Sequence, residues 1–163
     1  MKLELASILK IHPLLIGYPV DLAAMGGLAL QRAGHTSPTS VNIEQEQENA
    51  SGVINWSAQD LCLLKMTDAN RITEDGAESV ALIYAHAKDG WNVKRRLQRG
   101  ESADWLMFNK SGWLALEVSG MISGDHAGRL SQKKEQISRS TIPATRLAIV
   151  VSFKDPLILV GSI

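Results

Sequence analysis

The sequence predicts a mixed α/β domain. Three observations carry that reading. A helical apolar stripe over residues 74–88 is followed by three alternating segments at 91–99, 103–108 and 113–119, joined by short turns. A second helical segment, 129–139, then leads into a β-branched run at 146–153. The composition is that of an ordinary globular chain, with 45% hydrophobic and 21% charged residues among 163. It excludes a disordered chain, a collagen-like chain and a strongly basic nucleic-acid tail.

The first seventy residues carry the weakest signals. Residues 3–10 suit a short helix. Pro19 suits the first turn of a second one, running to Arg32, with Gly34 as its stop. Gly26 and Gly27 inside that run each cost about 1 kcal/mol of helix propensity. Residues 41–47 and 53–56 read as strands around a turn at 49–52.

From residue 73 the signals sharpen. Thr73 followed by Glu74 and Asp75 reads as a helix start, a capping hydroxyl with acids near the positive end of the dipole. Ala77, Val80, Ala81, Tyr84 and Ala87 form the apolar stripe, and Gly90 ends it. Residues 157–160 read as an edge strand after Pro156. The core order is therefore helix-strand-strand-strand-helix-strand. Residues 1–163 form a single domain, with 1–72 as a helical and hairpin embellishment and 73–163 as the core.

Formal net charge is zero, but the charge is unevenly placed. Residues 1–87 hold 5 basic and 10 acidic side chains, whereas 88–146 hold 11 and 6. The second half is the candidate anion-binding surface, with Lys94, Arg95, Arg96 and Arg99 as its densest run. Cys62, the one cysteine, lies in an apolar run and reads as buried. With no disulfide possible and no unbroken apolar run, the expectation is a cytoplasmic protein without a membrane span.

Two acids stand against apolar runs. Glu117 interrupts Trp113-Leu114-Ala115-Leu116-Glu117-Val118, and Asp104 opens Asp104-Trp105-Leu106-Met107-Phe108. A buried carboxylate needs a partner. Arginine, through Arg95 or Arg96, is one candidate partner for Glu117. A hard cation such as Mg²⁺ is another, because two carboxylates and a backbone carbonyl make an oxygen site. Glu74 and Glu78, four apart on the preceding helix, lie within reach of the same region. Lys133 and Gln136 share a face of the following helix.

This order of elements and acids resembles the PD-(D/E)XK nuclease-like superfamily over roughly residues 73–160. The stretch from Leu116 to Gly120, with Lys133 and Gln136 after it, also resembles a group of bacterial proteins. The resemblance implies a restriction-endonuclease-like core and a metal-dependent phosphodiesterase using Mg²⁺ or Mn²⁺ on DNA or RNA. It implies a homodimer as well. Asp104 matches the acid opening the second strand, and Glu117-Val118-Ser119 matches the triplet of the third. Asp104, Glu117 and the Val118 carbonyl would hold the metal. Ser119 stands where the motif has lysine, and Lys133 is the candidate replacement, with Lys134 second. His126, expected in a mobile loop at 124–128, is a further candidate base. The departure at Ser119 leaves two alternatives beside the enzyme: a catalytically inactive module binding a protein or nucleic acid, and a small-molecule sensor.

Overall fold

In the computed structural model, residues 1–13, 17–46 and 48–163 are described. The parts of the expected apolar start at 14–16 and of the expected strand at Gln47 lie outside them.

One eight-stranded mixed sheet runs through the chain. Its strands are β1 (Lys2–Glu4), β2 (Thr39–Gln45), β3 (Glu48–Asn55), β4 (Asn92–Arg96), β5 (Trp105–Asn109), β6 (Gly112–Met121), β7 (Thr145–Ser152) and β8 (Leu157–Ser162). The spatial order is β1-β3-β2-β8-β7-β6-β5-β4. Among the described residues five α-helices accompany it: α1 (Ile8–Ile11), α2 (Tyr18–Arg32), α3 (Leu61–Met66), α4 (Ala69–Asp89) and α5 (His126–Ser138).

The observed order differs from the six-element expectation. The meander β4-β5-β6, helix α5 and parallel strand β7 are followed by β8, and β8 pairs with both β7 and β2. β8 is therefore an interior strand, not an edge. Pro156 does not break it, because the proline sits in the preceding turn, where its carbonyl accepts from the Asn42 N–H. Through β8 the hairpin of residues 39–55 joins the main sheet, so the strands within 1–72 are part of one hydrogen-bonded layer.

Several boundaries move for local reasons. α4 begins four residues before Thr73, because the Asp68 carboxylate caps Asn70 and Arg71 N–H groups. Residues 3–10 split into a strand, a 3-10 turn at Leu5–Ser7 and the short α1, since Lys2–Glu4 pairs parallel with β3. The hairpin reverses around Glu46, not at 49–52. The expected strand 91–99 pairs only over Asn92–Arg96, with a register shift between Val93 and Arg95. His126 lies in the first turn of α5, not in a loop, and Asp125 caps that turn. Cys62 is exposed, because α3 lies on the surface.

Alternation in β6 separates two layers. Leu114, Leu116 and Val118 join the main core under α4, whereas Ala115 packs with Ile137 of α5. α4 is covered by α2 on its far side. Their crossing is tight: a Cβ on Gly26 would stand 2.3 Å from Ser79 Oγ. This explains a glycine whose helix propensity is poor.

At Gly120 the backbones of α4 and β6 approach each other closely. A Cβ there would lie 2.2 Å from the Thr73 carbonyl oxygen. Backbone on both sides leaves no flexible group to yield. Gly120→Ala should therefore destabilise the fold by about 1–3 kcal/mol, the usual cost of overpacking. Urea unfolding checks this; an unchanged midpoint would show that the two elements separate freely.

Candidate active site

α5 runs antiparallel to β6 and delivers two cations to it. The spacing explains how. Four helical residues rise about 6 Å, close to two strand residues at about 3.3 Å each. Arg129 and Lys133, four apart, thus meet Ser119 and Glu117, two apart. Arg129 Nε donates to Ser119 Oγ at 2.9 Å, and Lys133 Nζ donates to Glu117 Oε1 at 2.5 Å. Gln136 Oε1 accepts from the same ammonium at 3.4 Å.

Glu117 is fully buried. Its second oxygen, Oε2, has no hydrogen-bond partner among the described residues. Burial pushes its carboxyl above the usual range, and the charge of Asp104 pushes it further. Lys133 and then Arg129 pull it back. The pairing partner is thus lysine from α5, and neither Arg95 nor Arg96.

Asp104 is half-buried and sits just before β5. Its N–H bonds to the Leu116 carbonyl, and its Oδ2 accepts from the Val118 N–H at 2.8 Å. The carboxylate therefore occupies the margin of β6 where β5 pairing has ended. Glu74 does the same one step along: its Oε2 accepts from the Gly120 N–H at 3.0 Å. Val118, two residues from Leu116, has its carbonyl on the side of the strand facing Asp104.

Glu78 lies apart from this group in its bonding. Arg96 Nη2 donates to its Oε1 at 2.7 Å, and the Tyr18 hydroxyl donates to its Oε2 at 3.3 Å. Arg96 Nη1 also bonds Tyr18 Oη. The Arg96 guanidinium lies 5.7 Å from the Tyr18 ring centre and 5.5 Å from that of Trp105. Burial raises the Glu78 carboxyl to about 7 despite Arg96, with the Asp104 charge adding to the rise. Asp104 therefore couples electrically to both Glu78 and Glu117.

The expected phosphate contacts divide. Arg95 makes a two-pronged pair with Glu101 at 2.7 and 2.9 Å. That pair, with the Gln98 N–H, holds the Glu101 carboxyl down at about 2. Arg96 serves Glu78. Lys94 and Arg99 are exposed and carry no ion pair among the described residues. Lys134 does not reach the acids; its chain packs against Gly161 of β8. The Nε2 of His126 is buried without a partner among the described residues.

Sequence reasoning missed Arg129 and Tyr18. The i, i+4 spacing of Arg129 and Lys133 against the i, i+2 pair on β6 was the available signal for the first. Nothing local marks Tyr18, because its hydrogen-bond partners lie sixty or more positions away.

The site offers an all-oxygen donor set: Glu117 Oε2, Asp104 and the Val118 carbonyl. Hard divalent cations take such ligands, and the unsatisfied buried Oε2 suits one. Among the described residues no group of three or more His, Cys, Asp or Glu is placed to hold a metal ion. No helix there is long and apolar enough to cross a membrane. No protein-family model matches the chain, and no curated protein or solved structure matches it either.

Proposed function

We propose that this protein is a metal-dependent nucleic-acid phosphodiesterase with a restriction-endonuclease-like, PD-(D/E)XK-type core. The observation that carries this reading is Glu117: a fully buried carboxylate with one oxygen on Lys133 and the other without a partner among the described residues, coupled to Asp104. Asp104, Glu117 and the Val118 carbonyl hold Mg²⁺ or Mn²⁺. Such an ion acidifies a water and offsets the charge that develops on the phosphoryl group. Lys133 takes the place that Ser119 leaves vacant in the motif. It positions Glu117 and presents an ammonium beside the reacting phosphate. Gln136 steadies that ammonium. Glu74 fixes the margin of β6 through Gly120. Glu78 fixes Arg96 at the start of the basic loop, and Lys94, Arg95, Arg96 and Arg99 face the nucleic acid.

The test is Mn²⁺ titration by calorimetry, paired with cleavage of single- and double-stranded DNA and of RNA. Wild type should bind Mn²⁺, and Glu117→Ala should bind at least tenfold more weakly and cleave nothing. A wild type that neither binds Mn²⁺ nor cleaves any of the three would overturn the enzyme reading. One observation favours the alternative of an inactive binding module: the Asp104 carboxylate already satisfies the Val118 N–H, a structural duty.

A further inference from the structure

Beside the acids, an open cleft of about 410 Å³ lies between α2 and β4, lined by His12, Pro13, Tyr18, Lys94, Arg95, Arg96 and Trp105. Its walls are rings. Tyr18 and Trp105 stack with centres 6.0 Å apart, and His12 meets the Trp105 ring at 5.9 Å. Its rim is cationic, with three consecutive basic residues.

The charges at the rim are not equivalent. Glu101 matches Arg95 and Glu78 matches Arg96, but Lys94 has no carboxylate among the described residues. Arg96 also keeps donors in reserve. A guanidinium has five N–H groups, and the contacts with Glu78 and Tyr18 engage only two of its nitrogens. The Arg96 guanidinium lies over the half-buried ring of Tyr18, 5.7 Å from its centre, and the exposed Arg96 offers a planar group beside an unmatched ammonium. Flat π-surface next to positive charge is the chemistry that takes a base together with its phosphate.

We propose that this cleft holds one unpaired nucleotide, its base against Arg96 and Tyr18 and its phosphate on Lys94. The inference rests on the phosphodiesterase reading and adds a substrate class, single-stranded nucleic acid. Its size suits one nucleotide, near the small end of ligand pockets. A base inside a duplex shows only its edges and cannot lay a face against the ring. The cleft also adjoins the acids. Trp105 follows Asp104 directly, and Arg96 pairs with Glu78, which feels the Asp104 charge. A strand seated here passes the end of β5 where Asp104 stands, while Glu117 faces α5 on the other side of the sheet.

The test is fluorescence anisotropy of a short labelled oligodeoxynucleotide, in EDTA so that no metal contributes. The single strand should bind at least tenfold more tightly than its duplex. Lys94→Glu should weaken binding roughly tenfold. Lys110→Glu, the same charge change on the exposed β5–β6 turn, should leave it nearly unchanged. Replacing the bases by abasic sites should cost at least fivefold, the low end of one lost stack. Competition with a nucleoside monophosphate separates the two sources: displacement at matching concentration makes a free nucleotide the occupant, and resistance makes it a unit of a strand. No binding, equal affinity for duplex, or equal losses in Lys94→Glu and Lys110→Glu would overturn the proposal. Strand binding as expected, with no Mn²⁺ binding and no cleavage, would overturn only the catalytic reading. Cleavage that persists while Lys94→Glu binds like wild type would overturn only the nucleotide cleft.

Discussion

Lys133→Met should lower stability by about 3–5 kcal/mol, the scale for removing one partner of a buried ion pair. The reason is Glu117. With the ammonium gone, a carboxylate with no exposed surface loses its closest cation and keeps only the more distant help of Arg129. The carboxyl then takes up a proton, so the loss should be smaller at pH 5 than at pH 8. Glu117→Gln in the same chain should restore much of the stability, because no charge remains to be matched. Denaturant unfolding of the four proteins of this double-mutant cycle checks the coupling. Additive effects of the two substitutions would show that Lys133 and Glu117 do not act as a pair. The same ammonium carries the catalytic expectation: Lys133→Ala should cut turnover by about 10²-fold or more. Glu117→Gln is the variant that separates the two roles, since it should fold well and still fail to cleave.

Stability should also fall as pH rises from about 4.5 to about 7, and Glu78 should account for much of the fall. Its carboxyl titrates near 7 in the folded chain against an ordinary value of 4.5. The folded protein therefore binds more protons than the unfolded one within that window. Stability is full below 4.5 and is lost as pH climbs through 7. The interval corresponds to about 3.5 kcal/mol at most, because each pH unit is worth about 1.4 kcal/mol. Arg96 and the Tyr18 hydroxyl are the groups bonded to Glu78, and Asp104 and Asp75 repel its charge. Glu78→Gln keeps the shape and removes the titration. Urea midpoints at pH 5, 6 and 8 should slope downward in wild type and run flatter in the variant. Glu117, also raised, leaves a residual slope of the same sign. Parallel curves would show that the Glu78 carboxyl titrates at its ordinary value.

The parts of this fold legible in the sequence are those set by short-range periodicity. The α4 stripe, the β4-β5-β6 meander and α5 each bury one face and expose another, so their residues alternate at 3.6 or 2. Asp104 and Glu117 stood out because an acid in an apolar run demands a partner. The lysine partner of Glu117 followed only from a resemblance, since helix-to-strand contacts depend on how α5 crosses β6. The first seventy residues stayed obscure for a different reason. β1 is three residues long, and its pairing with β3 spans some fifty positions. β8 misled through a local rule: Pro156 signals an edge, but the proline lies outside the ladder. Leu63 and Leu64 beside Cys62 suggested a buried segment, yet Leu63 is exposed on α3.

The placement of β8 has a consequence for how the molecule comes into being. On one side of it lie β1, β3 and β2; on the other lie β7, β6, β5 and β4. Among the described residues no other strand bridges these groups, and β8 follows all of them along the chain. The strand that fuses the two groups is therefore the last of the sheet to be synthesised. Until then β2 and β7 each present a bare margin of N–H and C=O groups, the kind of template that recruits a neighbouring nascent chain. The long sequence distance between β2 and β8 also makes their union one of the slower steps of folding.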